Sequence, residues 1–163
     1  MPDIRAYIDL AETHHLNSQQ AIQNNNFDFA RVSFLKCVES WKNVVKFNPD
    51  YEEHLKKAKH EYSEFVKTDP KFLSLFPVIE DKIRENPQIL QTELYKLLPE
   101  LSRSDISFVL YFAEEHSRIS RMKKGRTYQL EIYKEIRFCQ NCEKQVSKKY
   151  NFCSFCGANQ KDL

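Results

Sequence analysis

The chain has 163 residues, 41% hydrophobic and 29% charged, with a formal net charge of +2. That is enough for one domain or two small ones plus a metal-stapled tail. Only two glycines occur, Gly125 and Gly157, which argues against Gly-rich phosphate loops and long β-sandwiches and for a mainly α fold. No apolar run approaches the roughly 18 residues of a membrane span, and Met1-Pro2-Asp3-Ile4-Arg5 lacks the basic-then-apolar pattern of a signal peptide. An intracellular protein is expected, cytoplasmic or in the nucleoid or nucleus.

The small net charge hides a gradient. Residues 1–75 carry ten basic and eleven acidic side chains, whereas residues 118–149 carry ten basic and three acidic, a net +7. Such a stripe suggests an anionic partner, most commonly nucleic acid. The plainer alternative is a solvated face.

Residues 5–73 read as helices. Ala6, Ile8, Leu10 and Ala11 open the first, and a second apolar stretch holds Ala21 and Ile22 before Asn24-Asn25-Asn26 breaks the pattern. Phe27, Ala30, Phe34, Cys37, Val38, Trp41, Val44 and Val45 recur at three- and four-residue steps up to Asn48-Pro49-Asp50, one buried helical stripe. Residues 51–67 repeat the period through Leu55, Ala58, Tyr62, Phe65 and Val66, and Asp69-Pro70 ends that helix. Pro77 suits a first helical turn, with Val78, Ile79 and Ile83 as the apolar face and Asn86-Pro87 as the stop. A short helix from Thr92 to Leu98 ends at Pro99. Ser102 to Asp105 then has capping-box form ahead of Ile106, Val109, Leu110 and Ala113. After His116 the period becomes two. Arg118–Met122 and Arg126–Ile132 read as strands around a Lys123-Lys124-Gly125 turn, with Tyr128, Leu130 and Ile132 alternating against Thr127, Gln129 and Glu131.

Two resemblances organise this pattern. Phe27, Ala30, Phe34 and Cys37 fall where a tetratricopeptide repeat packs two antiparallel helices, so residues 1–73 resemble a tetratricopeptide-like helical bundle. The helix runs on to Pro49, past the proline position of that family, and no second copy follows. Three helices and a basic hairpin, with Ile119 to Leu130 as the wing, make residues 74–137 resemble a winged helix-turn-helix domain. This resemblance implies that the third helix meets DNA through Arg103, Ser104 and Ser107, and that Arg121, Lys123, Lys124 and Arg126 sit over phosphates. With Ile106 and its stripe inward, Phe108, Tyr111 and Glu115 point outward. The two aromatics suit a contact with a protein partner.

Residues 138–163 hold the sharpest signal. Cys139-x-x-Cys142 and Cys153-x-x-Cys156 are separated by ten residues, four soft thiolates at the spacing of a tetrahedral metal site. The segment resembles a short zinc ribbon with one structural Zn²⁺, although a four-thiolate set also suits iron. Gly157 follows the last ligand, and Glu143 takes the matching place in the first pair. The ten intervening residues suggest a small hairpin turning at Ser147-Lys148-Lys149. Disulfide or redox use of the cysteines is the lesser alternative. Cys37 and Trp41 read as core residues, and the five histidines show no metal spacing. No nucleophile–base grouping or phosphate loop is recognisable, so no enzyme is expected.

The function expected first is a DNA-binding regulator that uses the winged helix and the basic tail. The alternative is a protein-interaction adaptor. RNA is a third class of partner, since Tyr150, Phe152 and Phe155 beside Lys148 and Lys149 could stack on bases; their alternative role is packing over the metal knuckles.

Overall fold

The computed structural model describes residues 3–160. Met1, Pro2 and residues 161–163, the outer ends of the first and third expected segments, lie outside the described residues. The described chain is mainly helical and ends in two small antiparallel hairpins. By contact it divides into Met1–Leu73 and Ser74–Leu163.

In the first unit, α1 (Ile4–Gln23) is one continuous helix that Asp3 caps by accepting from the Arg5 amide. Its buried face is Ala11, Ser18 and Ala21, while Ala6 and Leu10 are exposed. Small side chains on that face allow close approach to α2 (Phe27–Phe47). Asn26 caps α2 through the Phe29 amide at 3.2 Å. Along α2, Ala30, Phe34, Cys37, Val38, Trp41 and Val44 are buried as the stripe requires, with Phe27 half-buried. A 3₁₀ turn (Pro49–Tyr51) leads into α3 (Glu52–Val66). Phe34 lies 5.6 Å from Tyr62 and 5.0 Å from Phe65 between ring centroids, and Trp41 stacks on His54 at 4.7 Å. These aromatic pairs add packing geometry to the area they bury.

Asp69 has no solvent exposure. Both its oxygens accept from Arg31, Nε to Oδ2 at 2.7 Å and Nη2 to Oδ1 at 2.7 Å. Oδ1 also accepts from the Lys71 amide at 3.0 Å, which caps α4 (Pro70–Glu85). Pro70 therefore begins a helix as its first residue. The expectation that Pro77 opens this helix is corrected: Pro77 is interior to α4. Proline is tolerated there because it faces solvent, and the carbonyl four residues back that it leaves without an amide belongs to the exposed Leu73. The buried stripe is Phe72, Phe76, Ile79 and Ile83; Val78 is 43% exposed.

In the second unit, α5 (Gln91–Leu97) starts where the Glu93 carboxylate accepts from the Leu90 amide at 3.0 Å. The Ser102 hydroxyl accepts from the Asp105 amide at 3.0 Å to cap α6 (Arg103–Glu115). Strands β1 (Ile119–Lys124) and β2 (Thr127–Ile132) pair in antiparallel register, Ile119 with Ile132 and Lys124 with Thr127. The turn is thus Gly125-Arg126 alone, one residue shorter than the expected Lys123-Lys124-Gly125. Gly125 sits at φ +62, as the first position of a two-residue hairpin loop requires. Leu90 bridges Gln129, and the Leu130 amide donates to the Ile89 carbonyl at 2.9 Å, so the segment before α5 borders β2.

One face of the hairpin carries Ile119, Leu130 and Ile132 into the core. The opposite face carries the polar side of the alternation, yet Ser120 and Glu131 are each only 3% exposed. The cover is the cysteine-bearing segment: Ser120 donates to Gln145 Oε1, and Ser147 hydrogen-bonds Glu131. Glu131 Oε2 has no partner among the described residues. Burial pushes the Glu131 carboxyl above its ordinary range; the Ser147 hydroxyl opposes this, Glu135 adds to it, and Lys149 opposes it. The folded chain thus keeps a proton that the unfolded chain releases, so stability falls as pH rises between the two ionisations. Glu131→Gln is expected to raise Tm at pH 8 by roughly 4 °C, the response to ~1 kcal/mol in a small domain. In thermal melts the gain should shrink as pH is lowered towards 5.5. A variant less stable than the parent at pH 8 would contradict the assignment.

Candidate metal centre and basic surface

Strands β3 (Ile136–Phe138) and β4 (Gln145–Ser147) pair around the first cysteine pair, Ile136 with Ser147 and Phe138 with Gln145. This corrects the expected hairpin between the two pairs. Ser147 belongs to a strand whose partner precedes Cys139, and residues 147–150 form the turn that leads to the second pair. The two pairs close alike. Cys139 N donates to Lys144 O at 2.9 Å and Glu143 N to Cys139 O at 2.8 Å; Cys153 N donates to Ala158 O at 2.8 Å and Gly157 N to Cys153 O at 2.9 Å. Both closures need a left-handed residue. Gly157 supplies φ +72 freely, while Glu143 adopts φ +57 at a cost of roughly 1–2 kcal/mol. The departure from glycine is accommodated as strain, and the loop keeps its geometry.

All four Sγ atoms lie within 4.8 Å of one another. Cys139–Cys156 and Cys142–Cys153 are each 3.6 Å apart. Tetrahedral coordination at about 2.3 Å per thiolate places sulfurs about 3.8 Å apart, so the four residues fit a single metal ion. Amide donors favour the charged ligands. The Phe155 amide points at Cys153 Sγ at 3.4 Å, and Gln160 Nε2 at Cys139 Sγ at 3.3 Å. The Ala158 amide, with the Asn141 side chain, pulls the Cys156 thiol down to about 6, and the Cys142 amide lowers Cys139; at Cys142 the Lys144 amide acts the same way, but burial and the three neighbouring thiols push it up to about 12. The core here is Cys139, Val146 and Cys153, with Cys142 and Ala158 against it. So few apolar side chains cannot fold a segment of this length without the ion. Four thiolates would fill a tetrahedral set and leave no position open for water, which is the pattern of a structural site.

The residues expected at a nucleic-acid surface separate into two groups. Lys123, Lys124 and Arg126 are exposed around the hairpin tip. Arg121 lies on the opposite sheet face from Lys124; its Nε donates to Glu114 at 2.8 Å, its side chain is 15% exposed, and it covers the Tyr128 ring at 4.8 Å. On α6, Arg103 and Ser104 are exposed at the N-terminus, with Arg103 over the Tyr95 ring. Ser107 is half-buried, its hydroxyl 2.9 Å from Tyr95 Oη. Phe108 is half-buried edge-on to Phe112 at 5.4 Å, whereas Tyr111 is 42% exposed.

Sequence reasoning missed Glu131 and its cover, because nothing local marks a strand glutamate as buried. It also missed the Arg31–Asp69 pair, for which the Asp-Pro helix start was an available signal. Among the described residues no helix is long and apolar enough to cross a membrane. No family model, curated protein or solved structure matches the chain.

Proposed function

We propose that the chain is a non-enzymatic, nucleic-acid-binding regulatory protein in which a structural zinc ion holds a small ribbon against a winged-helix-like hairpin. The observation that carries this reading is the hairpin tip. Lys123 and Lys124 at the end of β1 and Arg126 in the two-residue turn stand exposed together within the +7 stretch of residues 118–149. Several cations held together displace condensed counterions from a phosphate backbone. The order α4, α5, α6, hairpin, with the Leu90 bridge to β2, supports the winged-helix likeness. The N-terminus of α6, with Arg103 and Ser104, is its DNA-facing candidate.

In an anisotropy titration with duplex DNA at 50 and 200 mM salt, affinity is expected to fall steeply. With roughly two to three phosphate contacts the loss over that range is about tenfold or more. Lys123→Glu/Lys124→Glu should weaken binding by at least about tenfold at low salt and flatten the salt slope. Equal binding by the double variant would sink the reading.

A protein-interaction adaptor is the second reading. Exposed Tyr111, together with Phe29, Val32 and Leu35 on α2, each 42–49% exposed, favours it, because large apolar groups on a surface mark contacts. Purification from cells with and without nuclease separates the two.

A further inference from the structure

Between the outer face of the β1–β2 hairpin and the cysteine-bearing segment runs an open groove of about 350 Å³. Lys123, Lys124 and Met122 line it from the hairpin, and Tyr150, Phe152 and Phe155 from the other side. Among the described residues, no acidic one lines it. Each of the three rings leaves about half its surface open: Tyr150 is 48% exposed, Phe152 60% and Phe155 52%. Cations accompany two of them. Lys144 Nζ lies 4.8 Å from the Phe155 centroid and Lys149 Nζ 6.0 Å from that of Tyr150. The platform is anchored, since Tyr150 Oη donates to Gln88 Oε1 at 3.0 Å and the Tyr150 carbonyl accepts from Arg137.

Exposed rings interleaved with lysines match a polyanion that carries flat apolar faces. We infer that this groove binds single-stranded nucleic acid, with bases stacking on Phe152, Phe155 and Tyr150 and phosphates meeting Lys123 and Lys124. The inference rests on the nucleic-acid reading above and names its substrate class. A duplex satisfies the lysines alone, because its bases are already stacked on one another and offer no face to the rings. An unpaired strand satisfies both sets. Stacking is tolerant of base identity, so the groove selects strandedness rather than sequence.

The test uses the full-length, zinc-loaded chain with fluorescein-labelled dT15, rU15 and a 15-base-pair duplex. Phe152→Ala/Phe155→Ala should lose about thirtyfold or more in affinity for the single strands and little for the duplex. Phe152→Trp/Phe155→Trp should retain single-strand binding, with indole fluorescence quenched by the oligonucleotide. Should the Ala pair lose zinc, the Trp pair decides: retained binding with quenching supports the groove, and unquenched binding overturns it. Equal binding of dT15 and rU15 shows recognition through bases and phosphates, and preference for one adds a sugar contact to the same groove. Wild-type affinity of the Ala pair for both single strands would overturn the stacking groove while leaving the Lys123/Lys124 reading intact. Failure of the parent chain to bind any of the three probes would overturn both.

Discussion

Cys153→Ser, or an excess of chelator over the wild-type chain, is expected to unfold residues 136–160 and leave the helices standing. The bound zinc should fall from one ion per chain to none. Far-UV circular dichroism should keep its helical signal, while amide resonances of residues 136–160 collapse to unfolded positions. The size of the effect follows from the small apolar cluster of this segment, Cys139, Val146 and Cys153, two of them candidate ligands. Structural four-coordinate zinc supplies on the order of 10–16 kcal/mol to such segments, and nothing else here approaches that. The helical units bury their own residues, from Phe34, Trp41 and Val66 in the first to Ile79, Leu94, Ile106 and Leu110 in the second. The outer face of the hairpin, with Ser120 and Glu131, should become exposed at the same time and show faster amide exchange. Loss of the whole helical signal on chelation would show that the ribbon is part of the main core.

Asp69→Ala is expected to be the most damaging substitution away from the metal. The carboxylate is fully buried, pairs with Arg31 through both oxygens and caps α4 at the Lys71 amide. The Arg31 guanidinium, 14% exposed, would keep Asp28 at 2.8 Å, but Asp28 is 92% exposed and screened by water. Removing one partner of a buried ion pair costs about 3–5 kcal/mol, and the lost cap adds roughly 0.5–2 kcal/mol. Urea denaturation should show a drop of that order. Asp69→Asn keeps an acceptor for the Lys71 amide and should recover the smaller, capping part. A cost below about 1 kcal/mol for Asp69→Ala would contradict the pairing described.

Parts of the chain whose structure is set by neighbours in sequence were legible. The stripe through Phe34, Cys37, Val38, Trp41 and Val44 encodes its helix by period alone, and Ser102 marks the start of α6 through its own side chain. The cysteines announce their site because a tetrahedral ion imposes spacing on the sequence. What failed to read was set by distant residues or by ambiguous punctuation. Asp69-Pro70 ends one helix and begins the next, and reading it only as a stop hid Phe72 and Phe76, which carry the Ile79 and Ile83 stripe back past Pro77. The burial of Glu131 depends on Gln145 and Ser147, some fifteen residues away, which alternation along β2 cannot reveal. Glu143 at φ +57 shows the reverse case: the site closes although the local residue disfavours it, because the ligands on either side hold the turn. The exposure of Phe152 and Phe155 is a tertiary fact too, since aromatic residues beside knuckles read first as packing.

Whether residues 118–160 form the proposed zinc-held surface for nucleic acid is decided by one titration. Anisotropy of labelled dT15 is followed with the zinc-loaded chain, then with the same sample after chelation and after zinc is restored. Binding should weaken with salt, be lost on chelation while the helical signal persists, and return with zinc. Binding that survives removal of the metal unchanged, or that is absent from the zinc-loaded chain, would contradict the proposed surface.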